Sequence, residues 1–267
     1  MNTDSLNGEK VASALEAAGA PTEVEFYERI ASTSDRARAR VVLGQWDGRS
    51  SFCIAADYQS AGRGRRGAAW LSPPGVSLLF TMADPANTWD KAEALPPLAI
   101  GLAVAETLHE ICGLRAKIKW PNDVRVKGRK ICGVLVERAA GPAGAALLFG
   151  VGVNVNQSEG DFAGEMKDKA TSVARESGRT FNRLELLTRI VAAGRRLRDQ
   201  LAKGRAVQVI DAIRRRLDCV GRIVTVVPEN GRLVEGTALG IETDGGLLVR
   251  EANGTVAKCL SGSLVEF

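Results

Sequence analysis

Histidine is nearly missing from this sequence: His109 is the only one among 267 residues. That excludes His-rich metal sites, the H-E-x-x-H zinc motif and any mechanism that needs two imidazoles. Cysteine is sparse and scattered. Cys53, Cys112, Cys132, Cys219 and Cys259 form no C-x-x-C pair, so they read as reduced core thiols rather than disulfides or a zinc knuckle. No G-x-x-x-x-G-K-S/T segment occurs, so any bound nucleotide is held without a P-loop. The N-terminal MNTDSLNGEK lacks the basic-then-apolar order of a signal peptide. The one long uncharged stretch, Ala139 to Ser158, carries glycines, a proline and two asparagines that spoil a membrane helix, and its closing valines point to a buried strand. A cytoplasmic protein without a membrane span is expected.

What is present suits a globular chain: 45% hydrophobic and 25% charged residues, with length for one large domain or two smaller ones. The formal charge of +5 is unevenly placed. Residues 1–30 hold six acids against two bases, whereas residues 181–216 hold ten bases against Glu185, Asp199 and Asp211. In the latter segment Leu184, Leu187, Ile190, Val191 and Leu197 recur at helical spacing, which predicts arginines on a solvated helix face. Phosphate contacts by those arginines are conceivable, but no aromatic lies among them for base stacking.

Periodicity and turn signals give the organisation. Helices are expected over 7–19, from Arg36 toward Leu43 behind a Ser32-Thr33-Ser34-Asp35 cap, from about Asp90 to Ile111 with Gly113 closing it, and over 182–202 and 206–217. Strands are expected at Val24–Ile30, Phe52–Tyr58, Val76–Met82, Lys117–Trp120, Val124–Val126, Ile131–Arg138 and Leu147–Val155. Residues 157–169 read as a mobile loop. Beyond Cys219 short valine-rich runs are separated by Asn230-Gly231, Asp244-Gly245-Gly246 and Asn253-Gly254, each a hairpin signal. The expectation is an α+β protein with a main domain over 1–218 and a small C-terminal barrel over 219–267, docked on the main domain because it is marginal alone.

Three segments carry chemistry. Gly62-Arg63-Gly64-Arg65-Arg66-Gly67 matches G-x-G-x-x-G formally, yet Trp70-Leu71-Ser72-Pro73-Pro74-Gly75 and a strand follow it. No helix N-terminus meets a pyrophosphate there, so the dinucleotide reading fails. What remains is glycines alternating with fixed cations, suited to wrapping an anion or, more plainly, to a flexible basic turn. Lys119-Trp120-Pro121-Asn122-Asp123 ends a strand, and the run to Lys130 reads as a hairpin that brings Asp123 and Lys130 together, as a functional pair or a surface salt bridge. In Gly150-Val151-Gly152-Val153-Asn154, glycines within a buried strand imply a close approach.

In this order and spacing the segments resemble the biotin protein ligases. The matching residues are Ser32-Thr33, Tyr58 through Gly67 with Trp70, Lys119 through Asp123, Arg129-Lys130 with Gly133 and Glu137, and Gly152-Val153-Asn154. The resemblance spans most of 26–175 and continues through the barrel. It implies a class II aminoacyl-tRNA synthetase-like catalytic domain, a mixed sheet flanked by helices, with an SH3-like C-terminal barrel. It further implies a two-step reaction in which ATP and biotin, with Mg²⁺, give biotinyl-5′-adenylate, and a lysine of a biotin carboxyl carrier protein then takes the biotin. By that resemblance Arg63, Arg65, Lys130 and Asp123 are catalytic. Biotin lies against Ser32, Thr33, Gln59, Gly62, Arg63, Arg65, Lys130 and Gly133. The adenylate lies against Arg63, Arg65, Arg66, Gly67, Trp70, Asn122, Lys130 and Asn154, and no metal ligand is assigned. Only about 25 residues precede the matching region, too few for the DNA-binding helix-turn-helix of some members, so a monofunctional ligase, monomer or homodimer, without DNA contact is expected. Competing readings are a lipoate or octanoate ligase of the same superfamily, a non-catalytic nucleic-acid-binding protein, and a partner protein whose basic loop meets an acidic surface.

Overall fold

The computed structural model describes residues 6–89, 94–162, 164, 166–228 and 231–266. The expected helix start near Asp90 and the Asn230 half of one turn lie outside them. The larger sheet contains β1 (Glu23–Tyr27), β2 (Phe52–Ala56), β3 (Ser77–Pro85), β4 (Lys117–Lys119), β5 (Asp123–Val126), β6 (Arg129–Gly141) and β7 (Gly144–Asn154). Its order is β1-β2-β3-β7-β6-β5-β4, with β1 and β2 parallel and the other pairs antiparallel. All of β3 is buried, as a central strand covered on both faces must be.

Helices cover the two faces differently. The helices are α1 (Gly8–Ala17), α2 (Thr33–Val42), α3 (Leu95–Cys112), α4 (Met166–Lys169), α5 (Val173–Ser177), α6 (Arg183–Ala202) and α7 (Ala206–Arg214). Strand alternation sorts the side chains: Cys53 and Ala55 join the core under α3 and α6, while Phe52 and Ile54 pack with Ala37 and Val41 of α2. The caps are those a helix needs. Ser32 accepts from the Asp35 N–H at the start of α2, Asn182 does the same for α6, and α3 has prolines in its first turn and left-handed Gly113 after its last. By length and composition α3 is the one described helix able to cross a membrane, but here it is a core helix, mostly buried. The segment expected to be a loop, 157–169, contains the short helix α4, and the uncharged stretch Ala139–Ser158 holds the end of β6 and all of β7, the buried strand its valines pointed to.

The C-terminal segment forms β8 (Ile223–Val227), β9 (Val234–Ile241), β10 (Leu247–Arg250), β11 (Val256–Cys259) and β12 (Ser263–Glu266), an antiparallel sheet in the order β11-β10-β9-β8-β12. Its inward valines and leucines belong to the same buried cluster as α3 and α6. The junction is polar as well. The Trp120 indole N–H donates to the Gly245 carbonyl at 3.1 Å, and Arg214 donates to the Ile241 carbonyl at 2.6 and 3.0 Å. Gly245 has φ +83, and a Cβ there would lie 2.6 Å from the Ala94 backbone, so the hairpin approaches α3 as only glycine permits.

Because one core joins both sheets, chemical denaturation is expected to show one transition. Trp120→Phe leaves the buried Gly245 carbonyl without its donor and should lower stability by about 1–3 kcal/mol. Two separate transitions in the unchanged protein would contradict the shared core.

Candidate active site

Strand register builds the floor of the site. Leu79, Gly152 and Gly133 stand opposite one another across β3, β7 and β6, and Thr81, Gly150 and Leu135 form the next row. Opposed residues of antiparallel strands share a face, so each row presents its side chains together. Glycines therefore leave a bare strip at the β6–β7 pair, on the face where the N-terminus of α2 arrives. Ser32, Thr33, Ser34, Gln59, Arg63 and Lys130 are among the residues that wall the cavity above it. The open space is only about 50 Å³. That is enough for a few waters.

Trp70 accounts for the small volume. A Cβ on Gly152 would lie 2.5 Å from its indole, and one on Gly133 would lie 3.1 Å from it. The indole thus covers the glycine strip, with the Lys130 ammonium 5.6 Å from the ring centroid. Its N–H is buried with no hydrogen-bond partner. Beyond the cavity a groove of about 1160 Å³ opens toward the C-terminal sheet, shared at Arg65, Asn122, Val134 and Leu135.

The basic glycine loop is tied down at three points. Arg63 reaches Asp35 at 2.7 Å and both oxygens of Glu137 at 2.9 and 3.2 Å. Partial burial pulls its pKa down, but the two carboxylates outweigh that and hold it above the ordinary value. Arg65 donates to Asn122 Oδ1 at 3.3 Å and to the Gly262 carbonyl at 3.1 Å. Arg66 donates to the Val227 carbonyl at 2.9 Å from a left-handed backbone, φ 55. After a single tight turn at Arg65–Gly67 the chain runs extended to Trp70, whose N–H donates to the Gly62 carbonyl. A Cβ on Gly62 would meet the Trp70 carbonyl at 2.6 Å.

The hairpin between β5 and β6 turns at Lys127-Gly128, both with positive φ, the geometry of a tight two-residue turn. It sets Lys130 Nζ 2.7 Å from Asp123 Oδ1, a contact of charge rather than a well-directed hydrogen bond. Asn122 sits beside them after a cis Trp120–Pro121 peptide.

Two sequence patterns coincide with these parts. Residues 26–154 match the Biotin/lipoate A/B protein ligase family, and residues 220–263 match the Biotin protein ligase C terminal domain. The chain belongs to this ligase family.

Among relatives of this family member, the bifunctional ligase/repressor BirA of Bacillus subtilis is 32% identical over 214 residues, covering 79% of the chain and 65% of that protein. The biotin–(acetyl-CoA-carboxylase) ligase of Paracoccus denitrificans is 35% identical over 157 residues, covering 57% and 64%. The chain spans about two thirds or less of the length of these curated relatives. The biotin protein ligase from Aquifex aeolicus, solved in complex with biotin and ATP, superimposes with a TM-score of 0.80 at 28% identity, covering 91% of this chain and 99% of that one.

Of the site residues expected from sequence, this ligase-family chain gathers Ser32, Thr33, Gln59, Arg63, Arg65, Trp70, Asn122, Lys130 and Gly133 around one cavity. Gly62 and Gly67 shape the loop without lining the cavity, Arg66 faces the groove, and Asp123 meets the site only by its contact with Lys130. Asn154 lies elsewhere: it is buried, donates to the Thr171 carbonyl and accepts from Gln157. Asn122 likewise spends its amide N–H on the Val134 carbonyl at 2.9 Å. The expectation of a wholly solvated arginine face on α6 needs correction, since Arg183 is buried against Asp57 and Arg198 pairs with Asp84. The other α6 arginines border a separate cavity of about 570 Å³ between α1, α3 and α6, away from the expected site residues. Ser34 reads in the sequence only as part of a helix cap, and Thr81 and Glu176 carry no signal of a role at the site. Thr81 stands out there only as a hydroxyl inside the apolar run Leu78–Met82.

Glu176 anchors the segment beneath Lys130. Its side chain is 1% exposed and binds Lys127, Arg129 and the Thr171 hydroxyl, while the Thr171 N–H donates to the Lys130 carbonyl. Burial pushes its pKa up, but the bonds from Thr171 and Lys127 and the charges of Arg129 and Lys127 outweigh this and leave it below 4.5. A depressed folded-state pKa contributes stability above the unfolded value, and that contribution drains as pH falls through the folded one. Glu176→Gln should therefore be less stable than the parent near pH 7, with the gap closing well below pH 4.5 in denaturation curves taken across pH. A gap constant down to strong acid would remove the charge from the explanation.

Proposed function

We propose that the chain is an ATP-dependent biotin–(biotin carboxyl carrier protein) ligase. The observation that carries this reading is the convergence of three separate sequence blocks on one cavity: Ser32-Thr33, the loop from Gln59 to Trp70, and Asn122 through Gly133. The supporting likeness is to proteins named as biotin ligases. In the first step a biotin carboxylate oxygen attacks the α-phosphorus of ATP and pyrophosphate leaves. In the second, a carrier lysine amine attacks the carbonyl of the mixed anhydride and AMP leaves. Repulsion between carboxylate and phosphate is the obstacle, and fixed cations in a site closed to water lower it.

The residues divide that work. Lys130, held by Asp123 and lying beside Trp70, is the cation placed at the meeting point of the two anions. Arg65 and Arg66 face the groove and suit the phosphates. Arg63, already paired with Asp35 and Glu137, holds the loop rather than supplying charge. Ser32, Thr33 and Gln59 suit the ureido group, and Asn122 borders the adenine end. Mg²⁺, where bound, would be held largely by the triphosphate oxygens and would offset their charge. The finer fold reading is a class II aminoacyl-tRNA synthetase-like domain to about Asp218 with an SH3-like barrel after it. A cytoplasmic enzyme, monomeric or homodimeric and without DNA contact, completes the proposal.

ATP–pyrophosphate exchange by the purified protein, with biotin, lipoate or neither, tests it. Exchange that requires biotin is the expected result, and exchange with lipoate alone would move the chain to the other branch of its family. Lys130→Ala should slow biotin-dependent exchange by about 100-fold or more while leaving the melting temperature nearly unchanged. A parallel loss of stability would reduce the Lys130–Asp123 contact to a structural salt bridge.

The loop also has to keep water and stray amines from the acyl-adenylate. Arg65→Gly removes its bonds to Asn122 and Gly262, so bystander proteins mixed with the variant, ATP and biotin should gain more biotin than with the parent. Equal labelling would separate Arg65 from retention of the intermediate.

A further inference from the structure

Behind the cavity a short chain of hydroxyls leads into the sheet. The Thr33 N–H donates to Gln59 Oε1 at 2.7 Å, and the Thr33 hydroxyl donates to the same oxygen at 3.0 Å. Thr33 Oγ1 also contacts Thr81 Oγ1 at 2.9 Å, and Thr81 Oγ1 contacts Ser34 Oγ at 3.1 Å. Thr81 is fully buried on β3, opposite Gly150.

One group fixes every proton in this chain. A backbone N–H can only donate, so the Gln59 carbonyl, not its NH₂, faces Thr33. That carbonyl also takes the Thr33 hydroxyl proton. Each hydroxyl has a single proton, so Thr81 must donate to Thr33, and Ser34 must donate to Thr81. The order runs Ser34 to Thr81 to Thr33 to Gln59 and has no consistent reverse. Its outcome at the cavity is definite. The Gln59 NH₂ is turned toward the glycine loop, 3.0 Å from where a Gly62 Cβ would stand, and remains a donor. Thr33, whose proton goes to Gln59, and Ser34, whose proton goes to Thr81, offer the ligand lone pairs only.

We propose that Thr81 is a positioning residue that carries this donor and acceptor order from Thr33 to Ser34, and that the order selects a cyclic urea headgroup. The inference rests on the biotin ligase reading. A urea carries one carbonyl acceptor and two N–H donors, the complement of one amide donor beside two hydroxyl oxygens. A cyclic guanidine of the same shape replaces the carbonyl oxygen with nitrogen, which when protonated brings a further donor against the Gln59 NH₂. With Thr81 as valine, Ser34 loses the acceptor of its proton and its hydroxyl is free to rotate and donate to the ligand, while Thr33 loses a donor but keeps its own proton on Gln59.

The test uses the full chain as Thr81→Val and Thr81→Ser in the exchange assay, with biotin and with 2-iminobiotin, its cyclic guanidine analogue. Thr81→Val should raise KM for biotin roughly tenfold, the scale of one neutral hydrogen bond, and leave KM for ATP within about twofold. The preference for biotin over 2-iminobiotin in kcat/KM should shrink by a similar factor. Thr81→Ser, which keeps the hydroxyl, should restore both. If Thr81→Val does not fold, Thr81→Ala takes its place with the same expected result. An unchanged biotin KM, an equal rise in both KM values, or no rescue by serine would overturn the inference while parental biotin-dependent exchange leaves the ligase reading intact. Parental protein that never exchanges in response to biotin would overturn that reading, and this inference with it.

Discussion

A flat ligand-sized surface inside a β-sheet requires somewhere that side chains do not stand up, and register supplies it here. Gly133 and Gly152 face each other on adjoining strands, so the gap made by one is widened by the other. A one-residue slip of β6 against β7 would put alternate side chains, Val151 or Val134 among them, on that floor. Pairing along the length of β6 and β7, from Cys132–Val153 to Gly141–Gly144, prevents such a slip. The remaining features of the site are consequences: the indole has a place to lie, α2 can bring its hydroxyls close, and Lys130 reaches over from the hairpin.

The glycine loop depends on parts of the chain that are far from it in sequence. Arg63 is held by α2 and β6, Arg65 and Arg66 by carbonyls near β12 and β8. The loop has little internal structure of its own beyond the turn at Arg65–Gly67. Two of its three ties, at Arg65 and Arg66, therefore depend on the docking of the C-terminal sheet. That docking in turn rests on Trp120, which belongs to the same Lys-Trp-Pro-Asn-Asp segment that delivers Asn122 and Asp123 to the cavity. C-terminal sheet, hairpin and loop hold one another in place.

Local chemistry makes much of this legible in the sequence. The Ser32 cap, left-handed Gly113 closing α3, the hairpin joining Asp123 to Lys130 and the glycines of β7 were all visible in neighbouring residues. What could not be read was how long-range partners use up a group's capacity. Arg63 reads as a cation for an anionic ligand until Glu137, distant in sequence, neutralises it. Asn154 and Asn122 read as free amides until β-sheet and loop carbonyls take their N–H groups. Arg183 and Arg198 look like solvated helix charges until Asp57 and Asp84 meet them. Thr81 sat unseen because a single hydroxyl in an apolar strand carries no pattern.

The position of Trp70 bears on how a ligand would be received. Its indole already shields the glycine strip from solvent, so little of that apolar floor is hydrated before a ligand arrives. A guest that takes the indole's place exchanges one apolar contact for another instead of stripping water from bare backbone. Burial of hydrated apolar surface is what makes the heat capacity of binding strongly negative. Association at this site accordingly has a smaller heat-capacity change than the buried area of its ligand implies, with much of its temperature dependence removed in advance by a side chain of the protein itself.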